Sequence, residues 1–320
     1  MAPDYEFSIS DCDVASDRRS GLQSFRDKRS LWLSWIDTDE YHAISNVISA
    51  MVWSDVAFRT LSHLAMNDDR NALNNTILSE GLINGHIAIQ ILAIRRLMDN
   101  RKDGIISLRK LLKDIRNHFN LFTRENYVCF DGLPYDYDSV QQEIIDATVG
   151  SGLVWGSTSG PKAYSSSQMA HQRFDKLAGI DPAHRTRRDR LPKSLLKTVE
   201  SWLDNSVAVE LANWSHVFLA HAGGQRERSK IPDNTVTMNK ISEAIKILAR
   251  VTEAVSAWLL CGGSLDNSLM PIAQFNQFEM LDGNIMHSKN EAEAERIWRQ
   301  LSDERNNYLD ELEVSLIVST

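Results

Sequence analysis

The segment NWSHVFLAHAGG, Asn213 to Gly224, holds the strongest candidates for chemistry in this chain. It places His216 and His221 on one predicted helix, with Asn213 three residues before His216. An imidazole with an unperturbed pKa near 6.5 accepts and returns a proton around neutrality. His221 continues an apolar stripe three residues after Phe218. It is therefore either a packed histidine at a helix C-terminus, where the dipole favours its charged form, or a reacting acid or base. The two histidines are five residues apart, roughly 140° around a helix, so they do not chelate one ion from one straight helix.

A second chemistry is phosphate binding. The run HRTRRDR places Arg185, Arg187, Arg188 and Arg190 within six residues of a chain with formal net charge −8. Guanidinium groups grip phosphate in a two-pronged fork, so the run reads as a phosphate-holding loop or as a solvated one. Arg226 and Arg228 follow His221 by five and seven residues. Arg18, Arg19, Arg26, Lys28 and Arg29 form another cluster on the first helix, read equally as a solvated face. Arg95 and Arg96 interrupt a mostly apolar helix, where at least one is expected to face inward, in an ion pair, or to reach an interface. Trp32, Trp35 and Trp53 are expected in the core or an interface.

Other chemistries are excluded by what is missing. There is no GxGxxG, Walker A, HExxH, GxSxG or CxxC pattern. No cofactor and no metal are expected. The Gly- and Ser-rich stretch 150–167 holds four glycines and six serines, but Gly160 precedes Pro161 rather than Lys, so it reads as a connector. Cys12, Cys129 and Cys261 are odd in number and far apart, which points to free thiols in a reducing compartment. The N-terminus lacks an apolar core of a signal peptide, and no stretch approaches the roughly 18 apolar residues that span a bilayer. The expected location is cytoplasmic, away from membrane.

These groups must be positioned by helices. Glycine (15) and proline (7) are scarce among 320 residues, and apolar residues recur at three- and four-residue steps. The spacing predicts helices over about 18–36, 44–64, 73–99, 107–122, 138–147, 168–178, 194–221 (bent near Asn205), 237–261 and 291–312. Residues 1–16 look frayed. No run alternates with period two, so the fold class is all-α: a multi-helix bundle of roughly six to eight helices. The expected organisation is an N-terminal arm and charged helix (1–37), a helical domain (38–262) with a loop insertion at about 148–192, and a C-terminal loop and amphipathic helix (263–320).

The helix order, with the segments GLINGHIAIQILAIRRLMD (81–99), SLRKLLKDI (107–115), TREN (123–126) and FLAHA (218–222), resembles the HEPN superfamily (higher eukaryotes and prokaryotes nucleotide-binding), in its bacterial abortive-infection branch. The resemblance covers roughly residues 38–262. It implies a helical homodimer of defence or toxin–antitoxin type, and a metal-independent RNase whose motif is an Arg, four to six residues, then a His. That His maps to His221, with His216 and Asn213 assisting. The Arg does not map, because His216 stands where it is expected. Arg185, Arg187, Arg188, Arg190, Arg226 and Arg228 are then the groups that hold RNA phosphates. Two readings follow: a protein that binds and cleaves RNA, or a non-catalytic helical protein that binds a protein partner or antitoxin.

Overall fold

A computed structural model describes residues 5–67, 73, 76–100, 104–148, 156–220, 224–229, 231, 235–265, 269–270, 273, 277–279, 291–310, 312 and 316–317. The chain is all-α. Its helices are α1 (Arg19–Leu33), α2 (Ile44–Met66), α3 (Thr76–Met98), α4 (Leu108–Asn117), α5 (Arg124–Cys129), α6 (Tyr137–Thr148), α7 (Tyr164–Ala178), α8 (Lys193–Asp204), α9 (Val207–Ser215), α10 (Gln225–Arg228), α11 (Met238–Glu253) and α12 (Glu291–Asn306). Three of them run on into a π turn: α1 at Ser34–Thr38, α9 at His216–Ala220 and α11 at Ala254–Leu259. Among the described residues, the extended pairing is a single isolated bridge between Thr123 and Arg190.

The helix starts follow local chemistry. The side chains of Ser107, Thr123 and Thr237 accept from the backbone N–H three residues on, satisfying donors that the first turn leaves open. Gly179, with φ 64, closes α7 in the left-handed conformation. Some predicted helices are divided. The expected helix over 194–221 breaks at Asp204-Asn205-Ser206, residues whose side chains compete for backbone partners; Ser206 Oγ donates to the Leu203 carbonyl at 2.7 Å. The helix over 107–122 stops at Asn117, where the His118 ring bonds the Asp114 carbonyl at 2.8 Å.

Helix α11 lies at the centre, burying Ile241, Ala244, Ile245, Leu248 and Val251 against α2, α3, α8 and α9. Helix α12 packs on α2, and its Arg305 reaches the fully buried Asp55 of α2 at 2.7 Å. On the other side, α1 packs against α5 and the turn Phe119–Leu121, while α7 packs against α5 and α6. Trp32 stacks on Phe122 with centroids 5.7 Å apart, and its Nε1 donates to Asp114 at 2.8 Å.

Two expectations about the N-terminal region are corrected. From residue 5 onward the segment is packed rather than frayed, with Cys12 and Val14 buried. Phe7 sits against Gly132 and Gly160, both at positive φ, where a Cβ would overlap its ring. The basic face of α1 is largely inward. Arg26 and Arg29 are buried, donating to the carbonyls of Phe130, Phe7, Leu260 and Cys261. These guanidiniums satisfy carbonyls that turns and helix ends leave open.

Candidate functional site

The arginine run is bound to α5 through its backbone. Arg124 N donates to the Asp189 carbonyl at 2.8 Å, Glu125 N to the Arg187 carbonyl at 3.2 Å, and Leu191 N to the Phe122 carbonyl at 3.2 Å. The loop thus satisfies the open N–H groups at the start of α5. Thr123 caps the same end, accepting from Asn126 N at 3.2 Å. All six residues of α5 are buried, including Arg124, Glu125 and Asn126.

Charges this deep need partners. Arg124, fully buried, donates through Nε to Asp189 at 2.8 Å and through Nη1 to Asp175 at 2.6 Å, under the Phe174 ring. Arg185 grips Asp175 at 2.8 and 2.5 Å and donates to the Tyr137 hydroxyl at 2.7 Å. Burial alone would raise the Asp189 carboxyl, but hydrogen bonds from Thr186 and Arg124 outweigh it and hold the group below its ordinary value. His171 is pushed down to about 4, by burial first and then by the Arg124 and Arg185 charges, against an opposing hydrogen bond to Tyr135. Its Nε2–H donates to the Tyr135 carbonyl at 3.0 Å, leaving Nδ1 as an acceptor facing Arg124 Nη1 at 3.5 Å.

On the outer side of α5 the same loop forms one wall of a cleft of about 510 Å³. Arg18, Arg187, Arg188 and Arg190 line it with Asn120, Thr123, Asn126 and Ser20, opposed by Asp17 and Glu125. Glu125 accepts from Arg18 at 2.5 and 2.9 Å and from Arg187 at 2.9 Å. Burial would raise the Glu125 carboxyl, yet these two guanidiniums keep it below its usual range. Arg187 also donates to the Asp13 carboxylate at 2.9 Å. Arg188 and Arg190 are exposed, and among the described residues no hydrogen bond or ion pair engages their side chains. The cleft is therefore cationic with two unengaged forks, which suits it to phosphate.

The residues expected from the sequence divide into separate groups. Arg187, Arg188 and Arg190 meet in this cleft, joined by Arg18. Arg185 does not take part: Asp175 and Tyr137 hold it on the far side of the loop. Asn213 is exposed on α9, and His216 is half-buried at the start of the π turn. Arg226 and Arg228 are exposed on α10, which packs on that turn. The cleft is lined by neither Asn213 nor His216. His221 lies outside the described residues. Arg95 and Arg96 line a second cavity, of about 540 Å³, where Arg96 contacts the His42 ring. Among the described residues, no three His, Cys, Asp or Glu side chains gather as a metal site, and no helix is long and apolar enough to cross a membrane.

Sequence reasoning missed Glu125, Arg124, His171 and Asp175. The signal for the first two was present: TREN puts two opposite charges inside a short segment bounded by Phe122 and the apolar Tyr127-Val128-Cys129. No short-range pattern links it to Asp175 or His171, some fifty residues away.

His171 gives this network a pH signature. Its folded pKa lies near 4, against 6.5 when unperturbed. Between those values the unfolded chain binds a proton that the folded chain refuses. Stability is complete above pH 6.5 and is lost as the pH falls towards 4, by up to about 1.4 kcal/mol per pH unit. His171→Asn, which keeps a donor for the Tyr135 carbonyl, should flatten the melting-temperature profile across that window; an unchanged slope would place the proton uptake elsewhere.

With this geometry in hand, comparison with known proteins gives no match: no family model, no curated protein and no solved structure is similar to the chain.

Proposed function

We propose that this chain binds RNA through the cleft between α1, α5 and the loop 185–190, as a cytoplasmic HEPN-like helical protein of bacterial defence or toxin–antitoxin type. The observation that carries the reading is the pair Arg188 and Arg190, exposed and unengaged at the mouth of a cleft that Arg18 and Arg187 also line. Among the described residues, the cleft lining contains no aromatic side chain. It offers phosphate contacts without a stacking platform, so it tracks the backbone and is indifferent to base sequence. Metal-independent cleavage would engage Asn213, His216 and His221. Neither Asn213 nor His216 lines the cleft, so binding is the activity the arrangement supports best. Arg188→Ala/Arg190→Ala should weaken single-stranded RNA binding and lower the salt slope of log K by about 1.4, roughly 0.7 for each phosphate contact removed. Equal affinity and slope in the double variant would remove this cleft from the RNA site.

A second reading, self-association, is favoured by α3. Leu78, Leu82, Gly85, Ile89 and Leu92 follow steps of four and three residues, and the four large side chains are 39%, 41%, 63% and 47% exposed. From Thr76 to Ile94 the helix carries one charged residue, Glu80. Such a stripe is the seam of a two-helix contact, and Gly85 leaves open space for a facing side chain. We expect light scattering to give twice the chain mass of 36.3 kDa for the native chain and a single-chain mass for Ile89→Glu. A native chain that stays monomeric would rule out this contact.

A further inference from the structure

We infer that Glu125 is a built-in competitor for the phosphate that the cleft takes, so that the resting cleft presents the charge of two arginines and conceals that of two more. The inference rests on the proposed phosphate-binding role of the cleft. It starts from an asymmetry in exposure. The Glu125 side chain is 2% exposed, whereas the Arg18 and Arg187 side chains that hold it are each 32% exposed. The carboxylate sits at the floor, and the two guanidiniums stand between it and the solvent-filled cleft.

Glu125 makes the contacts a phosphate would make. It accepts Arg18 Nε at 2.5 Å, Arg18 Nη2 at 2.9 Å and Arg187 Nη1 at 2.9 Å. That is a fork plus a bridging donor, the arrangement by which arginines bind a tetrahedral oxyanion. A carboxylate and a phosphate dianion cannot both claim these donors without like-charge repulsion across a few ångströms of low-dielectric space. Arg188 and Arg190 carry no such occupant. An incoming phosphate therefore meets two available guanidiniums at the rim and two masked ones below. The other charges facing this point are Asp17, in the cleft lining, and Asp13, which shares Arg187. Asp17 acts on Arg18 through its charge, whereas Glu125 bonds it directly.

The consequence is directional. Removing the Glu125 charge while keeping its shape should unmask Arg18, with Arg187 still held by Asp13, and strengthen anion binding, where an ordinary structural ion pair would give weaker binding or none. The test is Glu125→Gln, with Glu125→Asp as the control that keeps the charge. The probes are inorganic phosphate and a single-stranded RNA oligonucleotide at pH 7. Expected are about a tenfold or greater gain in affinity, the size of one charge-assisted hydrogen bond, and a steeper salt slope, from about −1.4 towards about −2.1 as contacts rise from two to three. Glu125→Asp should show neither gain. Equal or weaker binding by a folded Glu125→Gln protein would overturn the inference.

Should Glu125→Gln fail to fold, the native chain supplies the answer through its arginine Nε–H resonances. Phosphate at pH 7 should shift those of Arg188 and Arg190 and leave those of Arg18 and Arg187 in place. Shifts of all four together would show that Glu125 masks nothing. A native chain in which none of the four responds to phosphate would instead defeat the phosphate reading of the cleft itself.

Discussion

A fully buried guanidinium, that of Arg124, organises the half of the molecule in which the cleft lies. It is held by Asp175 of α7 on one side and Asp189 of the arginine loop on the other, at 2.6 and 2.8 Å. Removing such a charge from water is unfavourable by several kcal/mol unless it is paired; Asp189 and Asp175 meet Nε and Nη1, while Nη2 bonds nothing among the described residues, so α5, α7 and the loop are constrained to approach from fixed directions. The backbone repeats the constraint: the loop's carbonyls cap α5 at Arg124 and Glu125. The next residue, Glu125, lies about 100° further round the helix, and there it gathers Arg18 from the turn just before α1 and Arg187 from the loop. Two adjacent charges of opposite sign thus fix two networks, one closed and one open to solvent.

The same device recurs where helices would otherwise have nothing specific to join them. Arg26 and Arg29 carry α1 onto the carbonyls of distant turns. Arg305 carries α12 onto Asp55, which Arg59 and Ser242 also reach. In an all-α fold the helix ends leave carbonyls unpaired, and arginine, with five donors on a long stem, is suited to meet them. Apolar burial supplies most of the driving force, while these contacts select one arrangement of the helices among those that would bury similar surface.

The helical class was legible because it depends on local spacing. Stripes such as Leu108, Leu111, Leu112 and Ile115, or Ile241, Ile245 and Leu248, are buried where three- and four-residue steps place them. Helix divisions were harder to read: at Asn117 the helix stops within an apolar stripe that continues to Phe122, and the His118 ring and backbone N–H both meet the Asp114 carbonyl there. The arginine run was visible as a cluster, but its division into the engaged Arg185 and the unengaged Arg188 and Arg190 was not. That division is set by Asp175, ten residues before Arg185 and on α7. Arg18 was legible as one of a basic cluster, read equally as a solvated face, and its role depends on Glu125, 107 residues away. Long-range pairing of charges leaves no periodic trace in a single sequence.

If Arg124 sets the position of the cleft, the cleft should fail when Arg124 is replaced although no residue lining it has changed. The direct measurement is single-stranded RNA affinity of Arg124→Met, in a protein shown by circular dichroism to keep its helices. Asp175 retains Arg185, and Asp189 retains Thr186, so neither carboxylate is left without a partner. The account predicts a loss of affinity as large as that from removing Arg188 and Arg190 together. Native affinity in a folded Arg124→Met protein would contradict it.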